Sequence, residues 1–507
     1  MSAFVTDQFR ILNAGSFVES ISNNSYYAFL GLSNPTPGSV GFGRTDNWDT
    51  STTNNPVDNF QYLSHYRDTS LFGKKITTEN ARRVIRKVEW VSNTSYDMYR
   101  HDYRQGNESP VSKTVRLYDA NYYIITSEFK VYICIDNGSF GTNPTITGST
   151  IEPTQTDVEP SSAGSDGYRW KYLFSISPSD VIKFDSTEYI AVPNDWLTTT
   201  DVNIQTIREG GNSDSTENQI KTIYIEDGGF GYTNGTTADI IGDGTGGKVS
   251  ITVDSAGTIT NVTVTDGGKG YTYGIINLSL SSPNDTAKLI PIIPPSKGHG
   301  YNIYEELGTD KVLLYARFDD STKDFPVDTK FAQVGIIKNP EEFSGAGVTF
   351  VGNEFSSLSG IGLSESRNVT IGEVIEQDQG ANGVAKGYVA SFDKDTKVLK
   401  YYQDRSLCFG NKIDQTLSAS TKNIIAFNST NDITFFTSGG SASINTDLNG
   451  SVVVVNNKQI NLGSTFTNGL ADPEINKKTG TIIYIDNRPE VQRDSRQKED
   501  IKIILEF

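Results

Sequence analysis

Short runs rich in β-branched and aromatic residues recur along this chain, the pattern of strands, and the last of them alternates apolar and polar positions with a period of two. Residues 26–30, 86–90, 114–118, 128–136, 169–176 and 189–192 read as strands on this basis, as do 312–318 and 333–337. Within 128–136 the stretch Val131, Tyr132, Ile133, Cys134, Ile135 is apolar on both faces. That predicts a strand in a middle layer, where neither face meets water. Residues 481–507 predict two strands joined by a charged turn; in the second, Ile501, Ile503, Leu505 and Phe507 point one way while Lys502 and Glu506 point the other. Such a strand completes a buried sheet and ties the last residues to the first in one structural unit. Helical spacing is rarer. Phe9, Leu12, Phe17 and Ile21 predict a helix over 6–21 with Thr6 as N-cap, and Ser177-Pro178-Ser179-Asp180 predicts a short helix with Pro at its first position.

From about residue 220 the texture changes and an internal repeat appears. IYIEDGGFGYTNG at 223–235 returns 39 positions later as VTVTDGGKGYTYG at 262–274. Each copy is an alternating strand, a Gly-Gly pair suited to positive φ, and a Gly-Tyr whose ring can pack across the strand before it. Between the copies Val249, Ile251 and Val253 alternate with Lys248, Ser250 and Thr252, so a small β-prism or sandwich of two repeats is expected. Further on, IGEVIEQDQGANGVAKGYVASF at 371–392 resembles small β modules found in several phage tail proteins.

Composition narrows the class. A chain of 507 residues exceeds what one hydrophobic core supports, which predicts two to four packed units. Tyr and Phe, 25 of each, together with 47 Gly and abundant Thr, Ser and Asn, favour short strands and tight turns. The expected fold is all-β with few short helices: a multi-layer β-sandwich core carrying two small inserted β domains. With 44 basic against 61 acidic residues the net charge is −17, which repels a phosphate backbone and excludes nucleic-acid binding as the expected role. No run of 18 apolar residues occurs, and the opening MSAFVTDQFR has no basic stretch followed by an apolar one, so a soluble protein without membrane contact or secretion signal is expected. Cys134 and Cys408 read as buried free thiols, suited to a reducing cytoplasm.

Candidate chemistry is sparse. His65, His101 and His299 lie far apart and none stands at metal-ligand spacing, so no zinc site, cofactor or histidine base is expected. GDGTGG at 242–247 is similar to glycine-rich calcium turns but lacks their repeated frame, and reads as a plain hairpin turn. The acid pairs Glu305-Glu306, Asp319-Asp320 and Glu341-Glu342 cannot clasp one glycoside from opposite faces of a strand and read as solvated edges. No catalytic set emerges, so the chain is not expected to be an enzyme. Residue types that dominate interface hot spots crowd into 90–104, where Trp90, Tyr96, Tyr99, Arg100, Tyr103 and Arg104 are candidate partner contacts. The competing reading of those rings is simple core. Arg488, at the turn Asn487-Arg488-Pro489, is a further contact candidate or one half of a structural salt bridge.

Several blocks occur together in a familiar order: Phe9-Arg10, Arg82-Arg83 with Trp90 and Tyr96, TIEP at 150–153, DGYRWKYLFSIS at 166–177, YIAVP at 189–193, GIIKNP at 335–340, and IIYIDNRP followed by the final alternating strand. In this the chain resembles the baseplate wedge subunit encoded by gene eight of T-even-type contractile-tailed phages, over about half its length. The resemblance implies a late structural protein of the virion, placed in the tail baseplate and assembled in the host cytoplasm. It implies a homodimer that touches the other wedge proteins and helps transmit the rearrangement triggering sheath contraction. The family member is shorter than 507 residues, so the implied layout is a β-sandwich core at 1–216, 292–345 and 462–507, interrupted by the repeat module at 217–291 and a second β module at 346–461. The alternative from a different class is a host-surface glycan-binding tail protein or depolymerase, for which a trimeric fibre is expected.

Overall fold

The computed structural model describes residues 4–32, 55–139, 146–209, 219–278, 286–319, 329–403, 423–494 and 497–507. Antiparallel sheets dominate these residues, with five α-helices among them, so the fold is all-β. The chain divides into two compact units: Met1–Val18, Arg82–Leu313 and Ile504–Phe507 form one, and Glu19–Ala81 with Leu314–Ile503 form the other. The first and last segments therefore share a unit. Their contact is a ring pair, Phe17 and Phe507, with centroids 5.4 Å apart. Beside it the Phe507 amide donates to the Asp310 carbonyl at 3.1 Å, and Lys311 bridges Asp310 and Glu506.

The first unit is built around a three-stranded sheet in which Lys130–Asn137 lies between Tyr123–Ile125 and Tyr168–Ser175. All five residues from Val131 to Ile135 are buried, as two apolar faces require. Two strand expectations fail locally. The strand placed at 86–90 is instead Ala81–Arg86, paired with Tyr189–Val192; past it only the Glu89–Ile125 bridge remains. At 114–118 the Thr114 hydroxyl accepts from the Arg116 amide and donates to the Arg116 carbonyl, occupying the groups a ladder would use, and a 3₁₀ turn, Leu117–Asp119, follows.

Helix Asp7–Asn23 begins at Thr6, whose hydroxyl accepts from the Phe9 amide at 3.3 Å. Its buried stripe is Ile11, Ala14, Val18 and Ile21; Phe9 and Leu12, expected to face the core, are exposed. Packing selected a neighbouring face of the helix that shares Ile21 with the expected one. Helix Pro178–Phe184 is capped as expected, Ser177 accepting from the Asp180 amide at 3.1 Å.

The two repeats exchange strands within the first unit. The first strand of each pairs antiparallel with the third strand of the other: Ile223–Asp227 with Lys288–Pro291, and Ile259–Asp266 with Lys248–Val253. The middle strands, Thr237–Gly242 and Gly274–Ile276, pair with each other. The Ile259 amide donates to the Gly228 carbonyl at 3.0 Å, and the Ile220 amide to the Gly267 carbonyl at 3.1 Å, the same bond with the repeats exchanged. Asp227 and Asp266 each accept, at 2.9 Å, the amide of a glycine two residues on, Gly229 and Gly268, which sit at φ 56° and 58°. Tyr232 and Tyr271 close the same core from equivalent positions.

The second unit holds a five-stranded sheet in the order Glu354–Ser356, Phe72–Ile76, Tyr26–Gly31, Lys330–Lys338, Thr481–Gln492, with Tyr27, Phe29, Ile337, Phe355 and Ile475 packed on it. It also holds a seven-stranded sheet to which 371–392 contributes Val374–Asp378 and Val384–Asp393. A hairpin, Gly450–Val455 with Lys458–Phe466, turns on Asn456 and Asn457, both at positive φ. The charged turn expected between the last two strands contains a buried ion pair, Arg493 Nε to Glu499 Oε2 at 2.8 Å.

Candidate functional site

Residues 90–104 leave the sheet as a loop whose course is set by Asp97. This buried carboxylate accepts the amides of Val111 and Ser112 at 2.8 and 3.1 Å and that of Asn121 at 3.3 Å. The consequence for the candidate contacts is direct: Tyr96, Tyr99, Arg100 and Tyr103 are core residues. Each polar tip but that of Tyr99 is met by a hydrogen bond within the unit. Tyr96 Oη accepts from the Val91 amide and donates to the Glu89 carbonyl; Tyr103 donates to the Met98 carbonyl at 2.9 Å. Arg100 forms a two-pronged bond to Asp102 at 2.9 and 2.7 Å and lies 4.0 Å over the Tyr224 ring. Trp90 is half-buried, its indole N–H donating to Ser149 Oγ at 3.1 Å. Arg104 is exposed in the first unit. Arg488 is exposed in the second, where it pairs with Asp486 at 2.6 Å.

Sequence reasoning missed a second buried polar cluster. Glu306, read as a solvated edge, lies instead on the short helix Ile303–Glu306 and is buried, because its carboxylate turns back to take His299 Nδ1 at 2.5 Å and the Gly300 amide at 2.7 Å. The Tyr99 ring stands edge-on to His299 with centroids 4.8 Å apart. Nearby, Lys171 donates to the Val158 carbonyl; burial, and then the charge of Lys221, push its amine down to about 8. Burial likewise lifts the Tyr99 phenol well above its ordinary range. No spacing rule connects residues 99, 171, 299 and 306, so nothing in the chain announced them. A His–carboxylate pair can act as a base only where a substrate proton comes within reach. Here the ring is enclosed by Tyr99 and the loop it anchors, and the arrangement serves to hold residues 299–306 in place.

His101 accepts the Ile293 amide on Nδ1, and His65 is buried in the second unit. GDGTGG connects two antiparallel strands, with Asp243 accepting the Thr272 amide and hydroxyl. Among the described residues no three His, Cys, Asp or Glu side chains converge in a group able to hold a metal. Cys134 is a buried free thiol whose pKa burial raises well above the usual range; Cys408 lies outside the described residues.

Two larger clefts remain. In the first unit a cleft of about 450 Å³ is lined by residues 221–225 and 260–264 of the repeats, by Asp136 and Arg169 of the three-stranded sheet, and by Met98 of the 90–104 loop. In the second, a more open cleft of about 610 Å³ runs beside the 450–466 hairpin, with Glu342, Asp472, Glu474 and Phe343 on its walls.

Compared with known proteins, the chain matches no family model and no curated protein sequence. No helix among the described residues is long and apolar enough to cross a membrane.

Proposed function

We propose that this chain is a structural subunit of a contractile-tail baseplate wedge, without catalytic activity, acting as a homodimer that links neighbouring wedge proteins. The observation that carries the reading is the placement of the colinear blocks that resemble that family. DGYRWKYLFSIS spans the strand Tyr168–Ser175 and the cap of helix Pro178–Phe184; YIAVP is the strand Tyr189–Val192; GIIKNP ends the strand Lys330–Lys338; IIYIDNRP lies in its neighbour Thr481–Gln492. These four blocks are framework, whereas TIEP at 150–153 lies in a loop.

A subunit that transmits a rearrangement has to stay folded under load. The chain passes between its two units four times, so no single linker carries the connection. Large interfaces between stiff β bodies need no active site. On this reading the protein resides in the tail baseplate of the virion and is assembled in the host cytoplasm.

Mass photometry of the purified chain is expected to return a particle of twice the 55.5 kDa chain mass. Antibody labelling of the tailed particle is expected at the baseplate. A trimer, or label confined to the fibres, overturns the reading in favour of a host-surface tail protein.

A further inference from the structure

The 450 Å³ cleft of the first unit is lined by the same five positions of both repeats: residues 260–264 are residues 221–225 displaced by the 39-residue offset. Thr222 and Asn261 are equivalent positions, as are Tyr224 and Thr263. The cleft thus sits where the two exchanged repeats present matching strand faces, and its size is that of an ordinary small-ligand site.

Its chemistry is mixed and nearly balanced. Thr222 is 5% exposed, yet its hydroxyl has no hydrogen-bond partner among the described residues, a cost that a folded protein normally avoids. Asn261 commits its amide only to a long 3.4 Å bond with Thr263 Oγ1. Arg169 donates to the backbone carbonyls of Ser161 and Lys221 and forms no ion pair among the described residues. Among the described residues Asp136 accepts the Gly138 amide alone on its side chain, and burial raises its pKa. Lys221 is neutralised by Glu159 at 2.6 Å. The Tyr224 ring, held by Arg100, supplies an apolar wall.

One guanidinium and one carboxylate, separated by hydroxyls and aliphatic faces, suit neither a polyphosphate nor a polycation. They match a ligand that carries donors, acceptors and C–H faces in alternation. We propose that this cleft binds a linear saccharide of two or more units, with successive sugars lying against equivalent positions of the two repeats. A carboxylate-bearing sugar is favoured by the Arg169 guanidinium, whose hydrogen bonds go to backbone carbonyls and which forms no ion pair among the described residues. The inference is independent of the baseplate reading, since either a scaffold or a host-surface protein can carry such a site.

Saturation-transfer NMR and calorimetry on the full chain test it, with hyaluronan tetrasaccharide and maltotetraose as probes and inorganic phosphate as competitor. Saturable binding is expected, tighter for the hexuronate probe. Thr222→Val and Asn261→Ala are each expected to weaken it about three- to tenfold, and Thr222→Ser to retain it. The melting temperature of Thr222→Val should be unchanged or raised, because an unsatisfied buried hydroxyl is removed; a merely structural hydroxyl would lower it. The proposal is overturned if neither saccharide binds at about 5 mM, if phosphate displaces both, or if Thr222→Val and Asn261→Ala bind like the unaltered chain.

Discussion

His299 Nδ1 and Glu306 Oε1 meet at 2.5 Å inside the first unit, seven residues apart in the chain and both withdrawn from solvent. Glu306 also accepts the Gly300 amide, so a single carboxylate closes the loop between the Pro-rich segment and the short helix after it. Glu306→Ala leaves both donors buried and unmet and is expected to cost about 3–5 kcal/mol. Glu306→Gln keeps one acceptor and should cost less. Urea unfolding of the two variants orders them.

Lys400 gives a pH signature. It is buried on the strand Val398–Tyr402, its ammonium has no hydrogen-bond partner among the described residues, and burial pushes its pKa from 10.5 to about 8, with Glu474 opposing the shift. Between those two values the unfolded chain binds more protons than the folded one, so this lysine makes stability rise with pH. Below pH 8 it costs about 3 kcal/mol. Lys400→Met is expected to raise stability at pH 7 by about 1–3 kcal/mol and to flatten its increase between pH 7.5 and 9.5. Lys171 leaves a residual slope of the same sign. Denaturant titrations across that range measure both effects; an unchanged slope in the variant would refute the assignment.

Gly268 is expected to be intolerant of any side chain. Its φ is 58°, and a Cβ would fall 2.5 Å from the Thr245 carbonyl oxygen and 2.6 Å from the Gly247 amide nitrogen. Both clashes are with backbone, so Gly268→Ala should destabilise the repeat module by more than about 1–2 kcal/mol. Hydrogen exchange of Val249 and Ile251 should accelerate in that variant while exchange of the Val131–Ile135 strand stays slow, if the repeats open as their own cooperative unit.

The stretch 90–104 separates core from surface by mutation. Tyr96→Phe removes the group that satisfies the Val91 amide and Glu89 carbonyl and should cost about 1–2 kcal/mol of stability. Arg104→Ala and Arg488→Ala are expected to stay within about 0.5 kcal/mol. If the homodimer proposal holds and these arginines line its seam, their loss appears in the dimer dissociation constant alone. Thermal melts and mass photometry at several dilutions separate the two effects.

Much of this protein was legible in its residues. Runs of β-branched and aromatic residues located Lys130–Asn137, Tyr168–Ser175 and Tyr189–Val192, and period-two alternation located the final strand, because a strand's faces are written two residues apart. The DGGxGY copies announced a two-repeat module with its positive-φ glycines and buried tyrosines, since local backbone chemistry demands those residues. Thr114 and Arg86 escaped the pattern because a side-chain hydroxyl and a change of pairing partner override propensity without altering periodicity.

Tertiary structure alone decided the rest. That the repeats exchange strands, so residues 221–225 and 260–264 line one cleft, depends on which partner each strand finds across the module. That Tyr96, Tyr99, Arg100 and Tyr103 are core rather than surface depends on Asp97, Asp102 and Tyr224 being there to meet them or to shape the loop that buries them. Burial and electrostatic pairing are properties of distance in space. A linear chain records its periodicities but not which of its distant polar groups will lie within 3 Å of one another.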